Sequence, residues 1–146
     1  MKRTILAIAI VLGLASINTA FAESKIAVVD VQAVVSKSAQ VQALKKEQQT
    51  KMQDLEKWLK TVRADVEKQQ TKEGQEKLLK KYNSEFAKKK EAIAKDYKEK
   101  LQAIDKNITE TITTTAKAKG YNMVISKSMV IMGGDDITAE IQKVVK

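Results

Sequence analysis

From Gln40 to Lys119 the chain has no proline and one glycine, Gly74, while its apolar residues recur every three or four positions. A β-strand repeats every two residues, so this spacing specifies helix, with no helix breaker except near the centre. Val41, Leu44, Gln48, Met52, Leu55, Leu59, Val62 and Val66 make a first series. Leu78, Tyr82, Phe86, Ile93, Tyr97, Leu101, Ile104, Ile108 and Ile112 make a second. Thr71-Lys72-Glu73-Gly74 separates them and predicts a turn near 71–74, with the two helices folded back as an antiparallel hairpin. At 1.5 Å per residue its arms span roughly 50 to 70 Å.

The period separates this hairpin from a heptad coiled coil. From Leu44 to Val66 six steps cover 22 residues, or 3.67 per step. A strict seven-residue repeat would give about 3.5 and a left-handed supercoil, so the arms are expected to be straight or slightly right-handed. The stripe is also diluted, because Gln48, Lys89 and Thr115 occupy seam positions. Two readings follow: the stripe packs one arm against the other, or part of it stays open as an apolar contact surface. In the second reading the contact residues are Met52, Leu55, Trp58, Leu59, Val62, Tyr82 and Phe86.

Charge is concentrated on the same region. Gln40 to Lys119 holds 20 basic and 13 acidic residues, and Lys57 to Lys100 alone holds 14 against 8. A mixed charge run is ordinarily a solvated helix face, but an imbalance this local is a candidate binding surface. Its members are Lys57, Lys60, Arg63, Lys68, Lys72, Lys77, Lys80, Lys81, Lys88, Lys89 and Lys90.

The first 22 residues read as an export signal rather than as structure. Lys2 and Arg3 precede an apolar run from Thr4 to Ile17, and Ala20-Phe21-Ala22 places small residues where signal peptidase cuts. The run falls short of the roughly 20 residues that span a bilayer. Cleavage after Ala22 is expected; a nucleic-acid partner would explain the basic charge, but export removes the chain from the cytoplasm and argues against one. The chain has no cysteine, histidine or proline after that point. Disulfides, nucleophile–base pairs and the usual transition-metal sites are therefore absent. No catalytic, cofactor-binding or metal-binding residue is assigned.

Short β-branched runs flank the helices. Lys25 to Val31 (KIAVVDV) reads as a strand and Gln32–Ser36 as a short helix. At the far end Gly120 sits at the C′ position of the second arm. Met123-Val124-Ile125 and Met129 to Met132 then read as two strands around Ser126-Lys127-Ser128. Asp135 or Asp136 is expected to N-cap a last helix over Ile137–Lys146. The fold is therefore mostly α with a small β body at 23–38 and 120–146, from which the hairpin arm at 39–119 projects. Three short strands have a thin core, and such a sheet becomes reasonable if several copies pool theirs. Ile26, Val28, Val29, Val31, Val124, Val130 and Ile131 are the residues expected at that shared body.

The opening KIAVVDVQAVVSKS, the lysine-rich hairpin and the ending GYNMVISKSMVIMGGDDITAEIQKVVK together resemble the Skp (OmpH) family of periplasmic chaperones. The resemblance covers essentially all of the chain after Ala22. It implies a homotrimer whose sheets form an intersubunit barrel, with three helical arms enclosing a cavity. It further implies an ATP-independent holdase, soluble in the periplasm, that binds unfolded outer-membrane β-barrel proteins through the basic and apolar arm residues above. Lipopolysaccharide or another anionic lipid stays open as a further ligand. A secreted helical spacer or adhesin rod, or a lipopolysaccharide-binding envelope protein, is the alternative.

Overall fold

In the computed structural model, which describes residues 25–146, the chain runs β1 (Ile26–Val29), α1 (Val31–Lys37), α2 (Ala39–Glu67), α3 (Lys72–Ala118), β2 (Met123–Ser126), a single 3-10 turn (Lys127–Met129), β3 (Asp135–Asp136) and α4 (Thr138–Val144). The export signal at 1–22 and the cut after Ala22 lie outside the described residues. The molecule is mostly helical, with a three-stranded sheet at one end and α2 and α3 as the two long arms.

Local chemistry sets each boundary. Asp30 N-caps α1 by accepting from the Ala33 amide at 2.9 Å. Ser38 ends α1 and starts α2: its backbone is extended (φ −63°, ψ 123°). Its N–H returns to the Val34 and Val35 carbonyls, and its hydroxyl accepts from Val41. The same hydroxyl donates to the Lys146 carbonyl at 2.6 Å, so the bend is tied to the chain's last residue. Ser38 is the only buried polar residue among those described, and it is fully paired.

The break between the arms falls at Lys68 to Thr71, a few residues before the position that Gly74 suggests. Thr71 is the N-cap, and Gly74 lies inside the first turn of α3 with its N–H donated to Thr71 Oγ1 at 3.2 Å. A Cβ on Gly74 would sit 2.9 Å from that oxygen. Glycine here therefore clears space for the cap rather than interrupting the helix. At the other end Gly120 adopts φ +80°. Its N–H reaches the Lys117 carbonyl, and the Tyr121 N–H reaches Ala116, which satisfies the last turn of α3.

The sheet departs from the sequence expectation. β1 is the central strand, and both neighbours run parallel to it: Ile26 opposite Met123 through Val29 opposite Ser126, and Ala27 and Val28 opposite Asp135 and Asp136. There is no strand at Met129–Met132 and no hairpin around residues 126–128. The two arms form the crossover between β1 and β2, which brings the chain back in the direction in which it left. Gly133 and Gly134, both at positive φ (91° and 83°), then turn the chain so that β3 enters on the opposite edge of β1. Val31, expected in the first strand, opens α1 instead. α4 spans Thr138–Val144 with Ile137 at its cap position. Asp136 lies one residue earlier and accepts from both the N–H and the hydroxyl of Thr138.

The core sits at the base. Ala27, Val29, Val34, Ile137 and Ile141 close against Ile108 and Ala116 from the lower part of α3. On the other face of β1, Val28 is covered by the Gly134 backbone. Outside this cluster the buried apolar residues are Leu44, Leu55 and Val62, all on α2 and facing α3. Above the base, the fully buried part of the seam is a single sparse row on α2, flanked by half-buried side chains.

Candidate functional site

The seam dictates what the arms offer to solvent. Two helices in contact along a single stripe leave a groove on each side, and their remaining faces are free. One groove, of about 1250 Å³, is lined by Met52, Leu55, Ile93 and Tyr97, with a polar rim. The opposite groove, of about 440 Å³, shares Leu55 and Ile93 and ends at Trp58. Leu55 and Ile93 are therefore a common floor.

Among the described residues, two ion pairs, a cation–ring pair and a hydrogen bond bridge the arms. Glu47 and Lys51 on α2 meet Lys100 and Asp96 on α3 in a closed ring of alternating charge. Lys51 bonds Glu47 at 2.8 Å and also Asp96, while Lys100 lies 3.2 Å from Asp96 and also bonds Glu47. Hydrogen bonds from Lys100 and Lys51 hold the Glu47 carboxyl below its ordinary range, and those from Lys51 and Lys100 do the same for Asp96. The two ammonium groups are raised in turn, Lys51 chiefly by Asp96 and Lys100 chiefly by Glu47. Farther out Lys89 lies over the Trp58 ring, 5.3 Å from its centroid, and Tyr82 donates to Asp65 at 2.9 Å. That bond raises the Tyr82 hydroxyl, because ionising it would bring two negative charges together.

Trp58 anchors an aromatic cluster across the seam. Tyr82 meets it edge to face at 5.9 Å and Phe86 lies parallel to it at 6.2 Å. Lys81, Lys89 and Lys90 cap the three rings from outside. Such contacts favour the cation where it is, by roughly 0.5–1 kcal/mol each at exposed sites.

The expected apolar contact residues divide into two groups. Leu55 (8 % exposed) and Val62 (9 %) are consumed by the seam in this conformation. Leu59, Trp58, Tyr82 and Phe86 are half-buried, and Met52 is open at 51 %. Leu79, Tyr97 and Leu101 are also exposed, though the sequence did not single them out as contacts.

The basic set divides similarly. Lys57, Lys68 and Lys81 have carboxylates within reach three or four residues away along the chain, at 3.4, 3.8 and 3.9 Å. Lys89 and Lys90 sit on aromatic rings. Lys60, Arg63, Lys72, Lys77, Lys80 and Lys88 are exposed and make no ion pair among the described residues. The outer half of the hairpin is thus a cationic surface with a ring cluster set into it.

At the base, Val28 and Val29 are buried within the single chain, so they are not surface left for another copy. Val130 is half-buried and Ile131 fully exposed, both in the loop rather than in a strand. Together with Ile26, Met123, Val124, Met129 and Met132 they leave an uncovered apolar rim on the sheet end of the molecule. Val31 is exposed on α1.

The ion-pair ring was missed in the sequence, although Glu47–Lys51 and Asp96–Lys100 are each an acid four residues before a base, the favourable order on a helix. Among the described residues no helix is long and apolar enough to cross a membrane, and no cluster of His, Cys, Asp or Glu could hold a metal ion. A family model described as outer membrane protein (OmpH-like) matches residues 25–145. No curated protein matches the chain.

Proposed function

The chain belongs to the OmpH-like family, and on that premise we propose that it is a periplasmic chaperone for outer-membrane proteins. In this reading it is an ATP-independent holdase that keeps unfolded β-barrel chains from aggregating. The observation that carries this reading is the hairpin itself: two long arms joined by a sparse buried seam, with open grooves, a half-buried ring cluster and, on the outer half, six cations without an ion pair among the described residues. A rod built only for length would close its seam and balance its charge. A holdase needs the opposite, a weak apolar surface that releases its client and a long-range field that recruits it.

The body supports assembly in the same reading. The apolar rim of Ile26, Met123, Val124, Met129, Ile131 and Met132 is unusual for a monomer, and a shared barrel in a homotrimer would cover it. Lipopolysaccharide or another anionic lipid would find the same cations.

The test is to dilute a urea-unfolded porin into buffer with and without the protein, follow light scattering, and time capture through Trp58 fluorescence. Suppressed scattering is expected. Changing Lys60, Lys72, Lys77 and Lys80 to Glu is expected to slow capture and flatten its salt dependence, because exposed charges act on encounter rate and are screened beyond roughly 8 Å. Unsuppressed scattering by the unmodified protein, or equally fast capture of an acidic porin at low salt by the reversed variant, would defeat it.

A further inference from the structure

We propose that the larger groove between α2 and α3 of a single arm holds one extended segment of client chain, with acidic residues toward its lysines. This rests on the holdase reading and assigns it a site within one copy, distinct from any cavity enclosed between copies.

The groove's dimensions suit an extended segment. Its lining on α2 runs from Gln42 to Glu56, about 21 Å at 1.5 Å per residue. An extended segment of about six residues, at 3.3 Å each, spans the same length. The floor of Leu55 and Ile93, flanked by Met52 and Tyr97, meets every second side chain of such a segment. Methionine and tyrosine suit a site that must accept many sequences, one being flexible and the other broad and amphipathic.

The rim distinguishes a strand from a helix. Gln48, Gln49 and Gln53 line it, and each offers a donor and an acceptor. Gln42 already donates to the Ser36 carbonyl, whereas these three make no such bond among the described residues. A bound helix has its backbone groups satisfied and no use for amides. An extended, unpaired chain has free N–H and C=O groups along both edges, and leaving them unpaired is costly.

Charge completes the match. The lining contains Lys45, Lys46 and Lys90 against Glu56 alone. Lys45 and Lys46 carry no ion pair among the described residues. The occupant that fits is thus an alternating apolar–acidic strand, the pattern of an unfolded β-barrel segment.

The probe is a fluorescent ten-residue peptide alternating Val or Tyr with Asp or Glu, beside a twin with Lys at the acidic positions. Binding is read by anisotropy at low salt, and a photo-crosslinking residue is placed at Gln49 or, as control, at Lys77. The acidic peptide is expected to crosslink at 49 and not at 77, and to bind at least tenfold more tightly than its twin. Met52→Glu with Tyr97→Glu is expected to weaken it at least tenfold. Both positions are exposed (51 % and 40 %), so the helices tolerate the change, and Met52→Gln with Tyr97→Gln provides an uncharged version. Retention of unfolded porin is measured in parallel. If the unmodified protein fails to retain porin, the holdase reading itself falls. If porin is retained but the acidic peptide and its twin bind the protein equally, neither variant weakens binding, or position 49 crosslinks only to a second copy of the chain, the groove assignment alone is wrong.

Discussion

Gly133 and Gly134 are adjacent, share a left-handed backbone, and differ in what surrounds them, which makes them an internal experiment on the body. At Gly133 (φ +91°) nothing lies within 4 Å of an added Cβ. At Gly134 (φ +83°) the Cβ would fall 2.6 Å from Val28 Cγ2 and 3.3 Å from the Ile26 carbonyl. Alanine at a left-handed position costs about 1–2 kcal/mol through its own backbone. Gly133→Ala should therefore destabilise by that amount and no more. Gly134→Ala adds overpacking against a buried strand, typically about 1–3 kcal/mol, for a total of about 2–5 kcal/mol. Val28 cannot retreat easily, because its carbonyl is held by the Ile137 N–H at 3.0 Å and its strand is paired on both sides. The assay is amide exchange over residues 26–29 and 135–141 at fixed protein concentration, since association would add to apparent stability. The difference of 1–3 kcal/mol corresponds to exchange roughly 5- to 150-fold faster in Gly134→Ala than in Gly133→Ala. Equal exchange in the two variants, within about twofold, would mean that β3 does not press on β1 as described.

Two further outcomes follow from the base of the molecule. Ile141→Ala empties a fully buried position where α4 meets the core, and should cost about 2–5 kcal/mol in urea unfolding followed by circular dichroism; a loss below about 1 kcal/mol would show that α4 is not integral to the body. Asp136 is held well below the usual carboxylate range, first by Lys127 and then by Thr138, so its contribution is present above about pH 4 and is lost as pH falls through the depressed value. Protection of the Ile137 amide, its exchange taken relative to the intrinsic rate at each pH, should thus be constant down to about pH 4 and fall only below it, a step that Asp136→Asn removes.

What the sequence disclosed depended on whether a signal was local. The arms were readable because each turn of helix repeats the same statement, and the end of α3 was readable because Gly120 and its lysines lie next to one another. Gly74 misled by a few residues: glycine was read as a breaker, whereas the capping oxygen of Thr71 decides where α3 begins. The sheet was misread for a different reason. Met129 to Met132 is apolar and β-branched enough to be a strand, but a 3-10 turn at Lys127–Met129 follows β2 in place of a hairpin turn, and Gly133-Gly134 then turns the chain so that Asp135–Asp136 takes the free edge of β1. The same limit applies to the site. That Leu55 and Val62 are covered while Met52 is open depends on how α2 is rotated against α3, and no periodic pattern within one helix contains that angle.

The cross-arm pairs have a consequence for how the hairpin tolerates change. Glu47–Lys100, Lys51–Asp96, Trp58–Lys89 and Asp65–Tyr82 are all placed symmetrically about Glu73 and Gly74. The apolar seam alone is too sparse to fix that alignment, since one aliphatic can replace another after a slip of a helical turn. The charges behave like a vernier scale. Slide α3 four residues one way and Lys51 faces Lys100; slide it four the other way and Glu47 faces Asp96, while Asp65 is set against Leu78. Both neighbouring alignments are thereby penalised, and the arms keep step without a tightly packed interior. An insertion at 68–71 cannot be absorbed by sliding and must bulge at the tip, so the reach of the arm from body to tip is set by charge order rather than by core volume.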